Sequence, residues 1–158
     1  MIKTCIIGAS GYAGAELAAL VHGHNQFELA ALYVSTNSLD AWKSLGDIHP
    51  QFFNTIDLPL QPIDEDNLSA LSESFDLIFL ATPHEASHKW MNDLCGNKAV
   101  IMDLSGAFRI KDKQKFAAFY GFEHLADTLL AQAVYGLADW HQQQLSSANL
   151  VAVPGCYP

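Results

Sequence analysis

The sequence predicts a doubly wound α/β domain, a mostly parallel, Rossmann-like sheet with helices on both faces. Three observations carry that expectation. Short, near-continuous apolar runs such as CIIG, FELAALYV and DLIFLAT recur along the chain, and strands buried on both faces read as unbroken apolar runs. Between them lie stretches whose apolar residues recur every three or four positions, the period of a helix. A glycine-rich turn, GASGYAG, joins the first run to the first such stretch, at the place where these sheets carry their ligand loops.

Taken in order, residues 3–8, KTCIIG, read as a short buried strand. Residues 11–24, GYAGAELAALVHGH, follow as a helix with Leu17, Leu20, Val21 and His24 at helical spacing. Residues 27–34, FELAALYV, form a second strand, and a loop-rich stretch with Pro50, Pro59 and Pro62 comes after it. Residues 65–75 give a short helix with Leu68 and Leu71 about one turn apart. The third strand is 76–82, DLIFLAT. A helix over 85–96 ends at Gly96, and 99–106, AVIMDLSG, is the fourth strand. Residues 109–145 are mixed in pattern, and 149–155, NLVAVPG, close as a last strand. No repeat, low-complexity tract or linker interrupts this alternation, so a single domain over 1–158 is expected.

Composition narrows the function classes. Of 158 residues, 50% are hydrophobic and 16% charged, the balance of a globular protein with a sizeable core. A net charge of −9 with only 8 Lys and Arg argues against a nucleic-acid partner, which needs clustered cations. Lys111, Lys113 and Lys115 form the densest basic group and read as a solvated helix face. The apolar run beginning at Cys5 breaks at Gly8, too soon for a signal peptide, and no apolar stretch has the length of a membrane span. Cys5, Cys95 and Cys156 are odd in number, widely spaced and lack a CxxC pattern, which fits a reducing, cytoplasmic setting.

Gly8, Gly11 and Gly14 stand in a GxxGxxG spacing between strand and helix, with Ser10 and Tyr12 inside the loop. The first amides of a helix lack partners and its dipole favours an anion, so this loop is expected to hold a dinucleotide diphosphate. After the second strand the chain reads Ser35, Thr36, Asn37, Ser38, with no carboxylate until Asp40. A cofactor lacking a 2′-phosphate is usually held there by an acidic residue. Small hydroxyls at Ser35 and Ser38 instead accommodate a phosphate, so NADP(H) is expected; a polar turn unrelated to any ligand is the alternative.

HEASH, 84–88, matches the two-histidine pattern of zinc peptidases. His84 directly follows Thr82 and Pro83 at a strand end, however, where a helix is only starting, and no third ligand follows downstream. No metal is expected; the segment reads instead as a ligand loop at a carboxyl strand end. Cys156 follows Pro154 and Gly155 at another strand end, on the same expected edge. It is either a thiolate nucleophile, favoured by a helix starting after it, or a buried small hydrophobe.

GASGYAGAEL, HPQF, FLATPHEASH, DLSGAFR, YGLADW and VAVPGCYP occur in this order, and together they resemble the N-acetyl-gamma-glutamyl-phosphate reductase family over 1–158. The resemblance implies an arginine-pathway enzyme of the bacterial cytoplasm that uses NADPH to reduce an acyl phosphate to an aldehyde. This chain would be its amino-terminal, NADP-binding half. A second domain, carrying a catalytic histidine, further substrate contacts and much of a homo-oligomer interface, would lie outside it, and the half alone would bind NADP(H) without turnover. The resemblance further implies that Cys156 attacks the acyl phosphate and that Arg109 grips the substrate phosphate. Ser105 and Gly106 would form the turn presenting Arg109, and Thr82, Pro83 and His84 would border the nicotinamide. Asp139 stands where many relatives carry glutamate, and no role is assigned to it. A related enzyme acting on aspartyl phosphate and a non-catalytic nucleotide-binding module are the competing readings.

Overall fold

The computed structural model describes residues 1–157; Pro158, the final residue of VAVPGCYP, lies outside the described residues. β1 (Ile2–Ile7), β2 (Phe27–Val34), β4 (Leu77–Leu80), β5 (Val100–Asp103) and β7 (Leu150–Ala152) correspond to the five expected strands. Two short ones join them, β3 (Leu60–Pro62) and β6 (Val134–Tyr135). The seven form one sheet in the order β3-β2-β1-β4-β5-β7-β6, and every pairing is parallel. The chain therefore winds outward from β1 in both directions, and all carboxyl strand ends share one edge.

Alternation along β1 shows how the sheet divides the core. Cys5 and Ile7 join one apolar layer, with Leu80, Met91 and Phe108. Ile6 faces the other, with Ala15, Ala18, Leu32 and Leu60. Side chains of period two sent to two covered faces explain why the strands read as continuous apolar runs. Burying a side chain the size of Ile6 stabilises the fold by roughly 1.5–3 kcal/mol.

The helices are α1 (Tyr12–His22), α2 (Leu45–Ile48), α3 (Leu68–Ser74), α4 (His84–Leu94), α5 (Lys113–Tyr120), α6 (Asp127–Gln132) and α7 (Ala138–Leu145). α2 sits inside the stretch expected to be loop-rich, set by a capping box in which Ser44 and Asp47 satisfy each other's backbone amides. The mixed segment 109–145 resolves into three helices and a strand. α5 begins at Asp112, whose carboxylate accepts from the Gln114 and Lys115 amides, and ends at Gly121 in the left-handed region, φ +80°.

One basic-face expectation is corrected here. Lys111 does not lie on a solvated helix face. Its ammonium donates to the carbonyls of Leu130 and Ala133 at the carboxyl end of α6, where a cation meets the negative end of the dipole. Lys113 reaches the other end of the same helix, pairing with Asp127 at 2.7 Å.

Candidate active site

The glycine loop follows from steric demand at two positions. Gly8 has φ +89°, and a Cβ there would stand 2.2 Å from the Ala81 carbonyl oxygen, so β1 passes into its turn directly against the end of β4. A Cβ on Gly14 would stand 2.3 Å from Gly8 O; Gly14 is buried and lets α1 pack onto the loop. Gly11 is the residue before α1 and opens to the cleft. His49 supports the loop from the side, its Nε2–H donating to Ser10 O at 2.8 Å.

Around this loop lies a cleft of about 420 Å³ lined by Gly8, Ser10, Gly11, Ser35, Ser38, Thr82 and Pro83, among others. Seven of the nine residues expected to hold a cofactor thus meet in one cavity. Tyr12 and Gly14 do not line it: the Tyr12 ring is exposed and packs edge-on against His49, and Gly14 serves helix packing. Thr36, from the same hydroxyl-rich turn, spends its Oγ1 on Ile63 O at 2.9 Å, whereas Ser35 and Ser38 face the cleft. Backbone amides at a helix start, a glycine cradle that a Cβ would fill and two hydroxyls beyond β2 fit a dinucleotide.

The strand-end turn beside the cleft is built on Asp103, buried at the end of β5. It accepts from the Ser105 amide at 3.0 Å and the Ser105 hydroxyl at 2.8 Å, and Ser105 Oγ in turn accepts from the Ala107 amide. Burial pushes the Asp103 carboxyl above its ordinary range, opposed by the Ser105 hydrogen bonds, by Ser87 and by the Arg109 charge. Ser105 therefore points inward and builds the turn; its hydroxyl does not face an open site.

His84 Nδ1 accepts from the Gly106 amide at 2.7 Å, and the Tyr120 ring covers Gly106 so closely that a Cβ there would meet its hydroxyl at 2.1 Å. His84 thus holds the turn rather than bordering the cofactor cleft. His88, one turn along α4, accepts from the Leu125 amide through Nε2 at 3.0 Å, and burial lowers its pKa. The two histidines of HEASH serve two different backbone amides.

Arg109 emerges from this turn half-buried. Nε donates to Val153 O and Nη2 to Leu104 O, each at 2.7 Å, so the guanidinium ties the end of β5 to the segment after β7. Nη1 has no protein acceptor among the described residues, and it lies 3.3 Å from where a Gly155 Cβ would be. Arg109 is therefore packed against the residue preceding Cys156. Among the described residues Cys156 is exposed. Cys5 is buried in β1, and Cys95, whose thiol burial pushes up to about 12, lies past α4 near the opposite sheet edge. Among the three, only Cys156 stands at the edge bearing the cleft. Asp139 is exposed in the first turn of α7, where its carboxylate faces the positive helix end.

Sequence reasoning missed Asp103, Ser87, His49, Glu65 and Trp90, all of which line or brace the site. Ser87, in the first turn of α4, bonds Thr82 just ahead of the helix, Oγ to Oγ1 at 2.7 Å. A strand-terminal aspartate followed two residues on by serine was the one local signal, that of an Asx turn.

The family pattern described as "Semialdehyde dehydrogenase, NAD binding domain" matches residues 3–148. N-acetyl-gamma-glutamyl-phosphate reductase of Pseudoalteromonas atlantica is 61% identical over the whole chain, which covers 46% of that protein. The protein of that name from Alteromonas mediterranea is 54% identical, with 47% of it covered. The chain thus spans about half the length of the curated relatives it matches. Among solved structures, aspartate semialdehyde dehydrogenase II of Vibrio cholerae superposes with a TM-score of 0.65 at 16% identity, over 99% of this chain and 42% of that one. At that identity the likeness is one of fold.

Proposed function

The chain belongs to the semialdehyde dehydrogenase NAD-binding domain family, and from that premise we propose that it is the cofactor-binding half of an NADP-dependent N-acetyl-gamma-glutamyl-phosphate reductase. The observation that carries the reading is the approach of Arg109 Nη1 to Gly155. It puts a guanidinium with a free face beside the cysteine, on the sheet edge that bears the dinucleotide cleft. Such a pairing suits a substrate with a reactive acyl carbon and a phosphate leaving group.

The Cys156 thiolate attacks the acyl carbon of N-acetylglutamyl phosphate. The carbon–oxygen bond to phosphate breaks, and phosphate leaves with the electron pair. Arg109 Nη1 steadies that leaving group through charge-assisted hydrogen bonds. A thioester on Cys156 results, and cysteine suits this step because a thiolate is both a strong nucleophile and a workable leaving group. When bound, NADPH supplies the hydride that reduces the thioester to the aldehyde level. Collapse of the resulting thiohemiacetal expels the thiolate and releases the semialdehyde. Gly8, Ser10 and Gly11 hold the diphosphate, Ser35 and Ser38 favour the 2′-phosphate, and Thr82 and Pro83 border the nicotinamide. A cytoplasmic setting and assembly of the complete protein into a homo-oligomer belong to the same proposal.

Turnover by the complete protein tests it. NADPH oxidation is expected with N-acetylglutamyl phosphate and not with aspartyl phosphate, and Cys156→Ser abolishes it. Equal or better turnover of aspartyl phosphate would remove the substrate assignment. Calorimetry is expected to show tighter binding of NADP than of NAD. The aspartyl reading rests on fold-level likeness alone, whereas the relatives named for the N-acetylglutamyl substrate match at 54–61% identity.

A further inference from the structure

One side chain in the dinucleotide cleft is charged, and the proposed chemistry does not use it. Glu65 opens a 3₁₀ turn, Glu65–Asn67, just beyond β3. It is the sole ionisable group among the residues lining the cleft. Its Oε2 accepts from Lys89 Nζ at 2.6 Å and from Trp90 Nε1 at 3.1 Å, both donors standing on α4. Those two donors fix the carboxylate's direction, and the hydrogen bonds lower its pKa, so it is ionised at neutral pH. Oε1 receives no protein donor among the described residues. Trp90, itself buried, lines the cleft beside it. A carboxylate directed this firmly, with one oxygen left unpaired, suits a ligand donor.

Topology decides which part of a dinucleotide arrives there. The diphosphate belongs to the loop after β1. From that loop the sheet runs through β4 and β5 towards the Cys156 side, and in the opposite direction through β2 to β3. The nicotinamide half must extend towards the cysteine, so the adenosine half crosses β2. Its ribose meets Ser35 and Ser38, and the next group outward is the base, which reaches the turn beyond β3. Adenine carries a 6-amino group there, a donor, whereas a 6-oxo purine carries an acceptor. Lys89 balances the charge of Glu65 from outside the cleft, so the carboxylate does not burden the nearby phosphates with a net negative field.

We propose that Glu65 Oε1 accepts a hydrogen bond from the adenine 6-amino group, making Glu65 the residue by which this chain selects the base of its cofactor. The inference rests on the dinucleotide reading given above. A site built to accept from a donor rejects an analogue that presents an acceptor, because two acceptors then face each other.

The chain is titrated calorimetrically with NADP, with its hypoxanthine analogue and with NAD. Adenine is expected to be preferred over hypoxanthine by about tenfold or more, which is about 1.4 kcal/mol. In Glu65→Gln the Lys89 and Trp90 donors hold the side-chain oxygen and leave its NH2 facing the base, so the preference for adenine is lost or reversed while the NADP-to-NAD ratio stays. A wild-type preference below about twofold overturns the proposal without reference to any variant, and leaves the dinucleotide reading intact. A Glu65→Gln change confined to the NADP-to-NAD ratio also overturns it, because the carboxylate then acts on the ribose. Binding of none of the three dinucleotides removes the cofactor reading itself, and the proposal with it.

Discussion

Replacing Gly8 with alanine tests the steric reading of the cofactor loop most directly. Two costs add at this position. The backbone stands at φ +89°, and an L-residue held in left-handed space costs roughly 1–2 kcal/mol. The new methyl would also lie 2.2 Å from the Ala81 carbonyl oxygen and 2.7 Å from its carbon. Both are backbone atoms at the end of a central strand, so relief requires moving β4 or its exit, and overpacking of this kind costs about 1–3 kcal/mol. Together they give a loss of roughly 2–5 kcal/mol, a large share of the roughly 5–15 kcal/mol that holds a domain folded. With a urea slope of about 1–3 kcal/mol/M, the unfolding midpoint should fall by about 0.7 M or more. Gly11→Ala is the internal control. Gly11 has φ −73°, and the nearest atom to its added Cβ is 3.6 Å away. Its stability cost stays below about 1 kcal/mol, that of a poorer helix cap. Its methyl points into the cleft, so NADP binding weakens. Equal urea midpoints for the two variants would refute the argument that Gly8 is fixed by the approach of Ala81.

Arg109→Lys should loosen the cysteine segment, because one ammonium cannot replace the guanidinium's fixed bridge from Leu104 O to Val153 O. Hydrogen exchange of the Val153 amide, which donates to Asp103 O beside the bridge, is expected to quicken by about tenfold, with cofactor affinity unchanged; unaltered exchange contradicts the bridge. His124 is fully buried among Phe108, Phe116 and His88, neither ring nitrogen has a hydrogen-bond partner among the described residues, and burial lowers its pKa from 6.5 to about 4. The folded state refuses a proton that the unfolded chain accepts below pH 6.5, so this group lowers stability as pH falls from about 6.5 towards about 4. His124→Phe should flatten that part of the urea stability profile, and an unchanged slope would point to other groups. The purified chain should carry no stoichiometric zinc, since His84 and His88 each accept a separate backbone amide; zinc at one equivalent, lost in His88→Ala, would show otherwise.

Much of this fold was legible in the chain because a parallel sheet buried on both faces leaves unbroken apolar runs, as in CIIG and DLIFLAT. The positions of Gly8, Gly11, Ser35, Ser38, Thr82 and Pro83 in one cleft followed from strand ends sharing an edge. The stretch 109–145 was not legible. Its helices are of 6 to 8 residues, too short for apolar periodicity to rise above noise, and their order comes from tertiary capping such as Lys111 on α6. The inward turn of Ser105 was likewise hidden, because the sequence does not reveal that Asp103 is buried and must be satisfied locally. Glu65 escaped notice since its place in the cleft depends on β3, a three-residue strand among prolines. Cys156 was legible as a residue just past a strand end on the cleft edge, whereas its role as nucleophile came only from the family resemblance and stays part of the proposal.

Helix α4 touches nearly every part of this site. Its first residue holds the Gly106 amide, Ser87 bonds Thr82, His88 takes the Leu125 amide, and Lys89 and Trp90 steer Glu65. Five residues between His84 and Trp90 thus make one short helix a common axle for the two proposed binding events. On the proposed reading, a cofactor that stills α4 through Glu65 and Thr82 would already settle the turn from which Arg109 projects, so part of the ordering cost of the second ligand would be met by the first. Linkage would then require the reverse as well: an acyl phosphate seated on Arg109, as proposed, would tighten the grip on the dinucleotide by the same factor.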